Sequence, residues 1–179
     1  MKNPYVRQSG FTLIELIIVI VILGILSAVA LPRFLNVQGS ANASVVKSMA
    51  NHLQKASDMI NGKVTLEGRA ANSSTTISDE QGNSISVAYG YPHHDWNSAF
   101  EFLIKANVTM TSASASCTND FCVDESHDIS STITAAGADL ALVMYPRSTT
   151  GNDDCFAYYI YDQTSAGNEP LIGAITTGC

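Results

Sequence analysis

The stretch GFTLIELIIVIVILGILSAVALPRF, residues 10–34, decides how the rest of the chain is read. From Phe11 to Leu31 it runs for 21 residues with one charge, Glu15. At a rise of about 1.5 Å per residue, a helix of that length reaches about 31 Å, enough to cross the hydrocarbon of a bilayer. Upstream stand Lys2 and Arg7 and no acidic residue, so the cationic end is expected to stay in the cytoplasm and everything after Leu31 to be translocated. A secretory signal cut after Ala30 is the competing reading, because Ala28, Val29 and Ala30 form an A-x-A pattern behind an apolar run. Such a product would be a secreted binding protein without an anchor. The charge inside the run, the run's length and the abrupt polar-to-apolar step at Gly10 and Phe11 argue against it.

Three residues of the stretch work against a plain membrane helix. A carboxylate in hydrocarbon costs about 2.5 kcal/mol or more, so Glu15 needs an offset. Lying one turn from the membrane face, it can snorkel to headgroup water. Gly24 weakens the helix and Pro32 removes one backbone hydrogen bond, which makes the segment between them the expected place for a kink or unwinding.

Residues 10–34 resemble the N-terminal signature of type IV pilins and type II secretion pseudopilins. The resemblance implies that a prepilin peptidase cuts after Gly10 and that the new first residue, Phe11, is N-methylated. The cut leaves the apolar helix on the product, first as a membrane anchor and then as the core of a filament. It further implies that Glu15 meets the N-terminal amine of a neighbouring subunit and sets assembly register, a buried pair being favourable only at the right axial offset. Loss of helicity between Gly24 and Pro32 on assembly belongs to the same implication. The expected parts are a leader at 1–10, a transmembrane and filament-core helix at 11–32, and a head at 33–179.

Beyond Pro32, Val45, Met49, Leu53, Ala56 and Ile60 recur at helical spacing, with Lys47, Asn51, Gln54, Lys55 and Asp58 opposite. Asn61 and Gly62 are expected to end this helix. Residues 63–84 read as a surface loop and ISVAYGYP, 85–92, as a strand. Residues 95–107 read as a short amphipathic helix capped by Asp95, with Ala99, Phe102, Leu103 and Ala106 inward. Residues 111–138 are polar, and DLALVMYP, CFAYYIYD and PLIGAITT, at 139–146, 155–162 and 170–177, read as three antiparallel strands. The fold class is therefore α+β: a long N-terminal helix, then an antiparallel sheet, which matches the pilin fold.

The chain of 179 residues is 46% apolar and 14% charged with a net charge of −7, so nonspecific nucleic-acid binding is not expected. Its four cysteines have no zinc-site spacing and allow three disulfide pairings. Cys117 with Cys122 and Cys155 with Cys179 is favoured, because a cysteine at the last residue gains most from tethering the end of the chain; the sequence leaves the pairing open. Disulfides require an oxidising compartment. No catalytic motif is present, so no enzyme activity and no cofactor are expected. His93, His94 and Asp95 adjoin one another, and Asp120, Asp124, Glu125 and Asp128 gather near His127, but neither set has EF-hand or zinc spacing, and both read as solvated loops without a metal.

VAYGYP at residues 87–92, a strand opening with Cys155 and the final Gly178–Cys179 narrow the resemblance to the mannose-sensitive haemagglutinin (MSHA) class of major pilin. That implies a helical homopolymer on the cell surface, serving adhesion to a host or abiotic surface and biofilm formation. The implied partners are copies of itself, the prepilin peptidase, an assembly ATPase with its inner-membrane platform, and an outer-membrane secretin. A type II secretion pseudopilin and a minor, filament-initiating pilin are the alternatives within the resemblance. Major pseudopilins usually lack a C-terminal cysteine pair, and minor pilins often depart from the Glu15 pattern.

Overall fold

A computed structural model of the chain describes residues 10–112, 115, 117–135, 140–162 and 167–179, with the backbone alone for residues 31–36. Residues 1–9, holding Lys2 and Arg7 of the expected leader, lie outside them. The chain divides into two compact units, one ending at Gly39 and the other Ser40–Cys179. A single helix, α1 (Leu13–Leu66), supplies most of the first and begins the second.

In the first unit, Leu13–Ala30 is apolar apart from Glu15 and Ser27, and none of it is buried among the described residues. In the second, α1 buries Val46, Met49, Leu53, Ala56, Ile60 and Val64. The expected stripe is thus shifted at its start, Val45 being exposed and Val46 fully covered. The helix also outruns its expected end: Gly62 lies inside it and leaves open space around its α-carbon. The true stop is Gly68, at φ +69°. Its N–H donates to the Thr65 carbonyl and that of Arg69 to the Val64 carbonyl, both at 3.0 Å. This pair of bonds closes a helix around a left-handed residue, which glycine adopts without steric cost.

The stretch 63–84 is therefore no loop: it holds the last helical turn and strand β1 (Thr75–Ser78), paired antiparallel to β2 (Ser84–Ala88). Only Ile77 of β1 is buried, so the four residues gave no alternation to read. Between the strands the Asp79 carboxylate accepts hydrogen bonds from the backbone N–H of Gln81 and Asn83 and from the Asn83 side chain. The expected strand 85–92 is instead a tight hairpin, β2 turning into β3 (Tyr91–Pro92) through Tyr89 and Gly90 at φ 45° and 93°. Two positive φ values in a two-residue loop match the twist of the flanking strands. Asn61 of α1 donates to the Gly90 carbonyl at 3.1 Å and fixes this hairpin to the helix.

Next, a π-helical turn at Trp96–Phe100 runs into an α-helical turn at Glu101–Leu103. Asp95 precedes it but makes no side-chain capping bond; Glu125 takes that role, accepting from the Trp96 N–H at 2.8 Å. Because a π turn holds more than 3.6 residues, the inward positions move. Trp96, Ala99 and Phe100 are buried, whereas Phe102, Leu103 and Ala106 are only partly covered.

The main sheet has the order β4 (Val108–Met110), β5 (Phe121–His127), β6 (Ala141–Pro146), β7 (Phe156–Ile160), β8 (Leu171–Ile175). β4 pairs parallel to β5 and all other neighbours are antiparallel, so the three closing strands are arranged as read from the sequence. β5 falls in a stretch read as merely polar, FCVDESH, because its apolar half is three residues long.

β6 and β7 are buried on both faces. Leu142, Met144, Ala157 and Tyr159 share a cluster with Val46, Met49 and Leu53 of α1. The alternate residues Ala141, Val143, Tyr145, Phe156 and Ile160 share a second cluster with Cys117, Cys122 and Ile129. Burial on two sides is why β6 reads as an unbroken apolar run. Tyrosine hydroxyls tie the sheet to the hairpin: Tyr159 donates to the Pro92 carbonyl at 2.7 Å and Tyr161 to that of Ala88 at 2.8 Å.

Cys117 is bonded to Cys122 and Cys155 to Cys179, with α-carbons 5.7 and 4.8 Å apart. Gly178 packs its α-carbon directly on the Asp153 carbonyl, leaving no room for a side chain, and its N–H donates to the Asp154 carbonyl. The last strand is thus stapled beside the start of β7 by a bond spanning 24 positions, a closure whose entropy corresponds to about 3 kcal/mol. Cys179→Ser is expected to lower the unfolding free energy of the chain in detergent by about that amount, read from denaturant melts.

The tyrosines also predict a pH limit. Burial first, then the neighbouring Tyr91, pushes Tyr161 from its ordinary 10.0 up to about 12, and burial raises Tyr159 well above its ordinary value. A folded state that holds these protons longer than the unfolded state is fully favoured below pH 10 and loses that advantage as pH rises through 12. Thermal melts should therefore be insensitive to these groups up to pH 10 and fall steeply above it, and Tyr161→Phe should reduce the slope of that fall.

Candidate functional site

The first turn of α1 is built by two side chains. Glu15 Oε2 accepts hydrogen bonds from the Thr12 backbone N–H and from Thr12 Oγ1, both at 2.8 Å, and the Glu15 N–H donates back to Thr12 Oγ1 at 3.3 Å. This reciprocal arrangement is a capping box, T-x-x-E, which satisfies amides that have no partner inside the helix. Thr12 is the residue that the sequence reading passed over, although a Thr three positions before a Glu at the head of an apolar run signals it. The carboxylate also lies at the helix N-terminus, where the peptide dipoles favour negative charge.

Around this turn everything is exposed and apolar. Phe11, Leu13, Ile14, Leu16, Ile17 and Ile18 all face outward, and Gly10 and Phe11 precede the first helical residue. The peptide bond between them thus lies outside α1 and is exposed. Gly24 and Pro32 lie within an unbroken α1. The exposed run from Leu13 to Ala30 is one that water does not solvate favourably, and hydrocarbon or other helices do.

Near His127, Asp124 Oδ2 lies 3.8 Å from His127 Nδ1, but the acidic residues there do not bring three donors together among the described residues. Glu125 serves the Trp96 amide, Asp128 accepts from the Ser130 N–H at 2.9 Å, and Asp124 accepts from the Ser126 N–H at 3.0 Å. Among the described residues, only His93, His94 and Asp95 bring three possible metal donors together.

Residues 6–31 match the prokaryotic N-terminal methylation motif. The motif thus covers the Gly10–Phe11 junction, the capping box and most of the exposed apolar helix. Over 50 residues the chain is 52% identical to the type IV narrow pilus major component of Thermus thermophilus, a match covering 28% of this chain and 43% of that protein. Over 87 residues it is 36% identical to the type IV major fimbrial protein of Dichelobacter nodosus, covering 48% and 54%. It is also 43% identical over 53 residues to the type II secretion system core protein G of Pseudomonas aeruginosa, covering 30% and 37%. The chain thus spans about half or less of the length of these relatives. No solved structure matches it. Similarity to these type IV pilins thus spans 50 to 87 residues, less than half of this chain.

Removing Thr12 should loosen the first turn without unfolding the head. Thr12→Ala is expected to cost about 1 kcal/mol of local stability, seen as roughly fivefold faster hydrogen exchange of the Glu15 amide, which donates to Thr12 Oγ1, in detergent micelles.

Proposed function

We propose that this chain is the structural subunit of a type IV pilus, made as a prepilin and polymerised into surface filaments for adhesion and biofilm formation. One observation carries the reading: an 18-residue, predominantly apolar stretch of helix, none of it buried among the described residues, carries a carboxylate in its first turn inside a methylation motif. An enzyme's anchor needs no such carboxylate; a helix that must find a fixed axial position among identical helices does. The α+β head with its two disulfides supplies the outer part.

On this reading the prepilin peptidase cuts between Gly10 and Phe11 and Phe11 is N-methylated. The chain waits in the inner membrane with its N-terminus cytoplasmic. An assembly ATPase and inner-membrane platform then extrude it, and a secretin passes the filament to the surface. Glu15 pairs with the amine of a neighbouring Phe11, and the segment from Gly24 to Pro32 loses helicity as subunits pack. The segments 1–10, 11–32 and 33–179 act as leader, filament core and head. VAYGYP, which forms the β2–β3 hairpin, and the terminal Gly178–Cys179 support a place in the MSHA class of major pilin.

The similarity to a type II secretion core protein supports a second reading, a pseudopilin with the same N-terminus. The disulfide closing the last strand favours the pilus, since major pseudopilins usually lack that cysteine pair.

Mass spectrometry of sheared surface fibres from the native bacterium is the direct test. The expected species begins at methylated Phe11 and dominates the fraction; a soluble product beginning at Leu31 would overturn the proposal. Glu15→Val should leave cleavage and membrane insertion intact while fibre yield collapses, and normal fibres from that variant would exclude a register role for Glu15.

A further inference from the structure

We propose that His93, His94 and Asp95 form a binding site for a divalent transition metal of the zinc class, on the head and remote in sequence from the assembly helix. The three residues follow Pro92 directly and precede the π-helical turn. Both ends of the segment are held. The His93 N–H donates to the Ser86 carbonyl at 3.0 Å, the Pro92 carbonyl accepts from Tyr159, and the Trp96 N–H is held by Glu125. The segment is therefore fixed to the sheet rather than hanging in solvent.

The donor atoms already converge. His93 Nδ1 lies 2.8 Å from Asp95 Oδ2 and His94 Nε2 lies 3.6 Å from Asp95 Oδ1. The two imidazoles stack with centroids 4.7 Å apart, and one donor atom from each residue fits within 4.8 Å of the others. Ligands at 2.0–2.1 Å on a tetrahedral zinc ion stand about 3.3 Å apart, between the two nitrogen–oxygen distances seen here. The three donors lie within 4.8 Å of one another, so an ion entering the cluster draws them together by side-chain rotation.

The alternative is that Asp95 simply holds His93 by a hydrogen bond. His93 Nδ1 is shielded from solvent and stands 2.8 Å from the Asp95 carboxylate, yet makes no hydrogen bond among the described residues. A shielded nitrogen without a hydrogen bond costs free energy, which a metal ion shared with the neighbouring carboxylate would remove. The cluster remains partly open, its side chains 21–41% exposed, so an ion can enter and a fourth position is left for water. Imidazole and carboxylate together suit zinc, nickel or copper rather than calcium or magnesium. Both disulfides are closed and no cysteine is free, so thiolates do not compete for the ion.

The test is zinc titration of the full chain in detergent against a chromophoric chelator, with cobalt substitution to report geometry. The wild type should bind one zinc per chain and give the intense visible absorption of tetrahedral cobalt. His93→Gln and His94→Gln should each weaken binding by more than about tenfold, since even outer-shell changes cost that much. His52→Gln and His127→Gln should not weaken it. Circular dichroism without metal checks that the variants fold, and Asp95→Asn replaces any that do not. Absence of stoichiometric zinc binding by the folded wild type, unchanged binding in the His93→Gln/His94→Gln double variant, or a loss confined to His127→Gln would overturn the proposal. None of these outcomes bears on whether the chain forms fibres.

Discussion

Helix α1 has two halves with opposite needs. Leu13–Ala30 exposes apolar side chains all round, and nothing among the described residues of its own unit buries them. Val46 to Val64 instead present one apolar stripe, which the sheet buries completely. The hydrophobic effect rewards only the removal of surface from water, so the first half is stable in lipid or among other helices and the second is stable on its own sheet. Moving from lipid to a bundle of like helices exchanges one apolar environment for another. The net driving force is then small, and specific polar contacts weigh heavily in what forms.

The head answers a different constraint, that β6 and β7 are apolar on both faces. One face is served by α1. The other needs a cover, and the segment around Cys117, Cys122 and Ile129 provides it, with Tyr145 donating to the Ser112 and Ala115 carbonyls. A polar, serine-rich stretch makes a poor cover by itself, because it buries little area per residue ordered. The Cys117–Cys122 bond, which joins the cover to β5, lowers the entropy lost in ordering it. The two disulfides therefore act at different places: one secures the cover on the second face and the other secures the edge strand β8.

The elements legible in the sequence were those with a long pattern or an unbroken apolar run: the apolar half of α1, most of its buried stripe, and β6 to β8. What was missed is short or stabilised by partners distant in the chain. β1 has one buried residue and exists because β2 pairs with it. The stop of α1 at Gly68 looked no different from Gly62, since only backbone geometry distinguishes them. Glu125 displaced Asp95 from the helix start across 29 positions, a contact that no local propensity encodes. At the candidate site, Glu15 stood out by its charge, whereas Thr12 acquires meaning only through the bonds it shares with Glu15.

Those bonds bear on how a single chain would give way to an assembled one. A capping box is worth about 1 kcal/mol, and both bonds from Thr12 use the same carboxylate oxygen, Oε2. A carboxylate has a second oxygen, so pairing with a neighbour's amine does not require the cap to break. Two opposite charges in an apolar core repay their desolvation only when geometry is close to ideal, whereas an unmatched charge there costs about 3–5 kcal/mol, several times the cap. The local cap holds Glu15 in one orientation before any partner arrives, which reduces the side-chain entropy lost on pairing. On the proposed reading, Thr12 would thus contribute to register through Glu15, by presenting the carboxylate already aimed at the helix start.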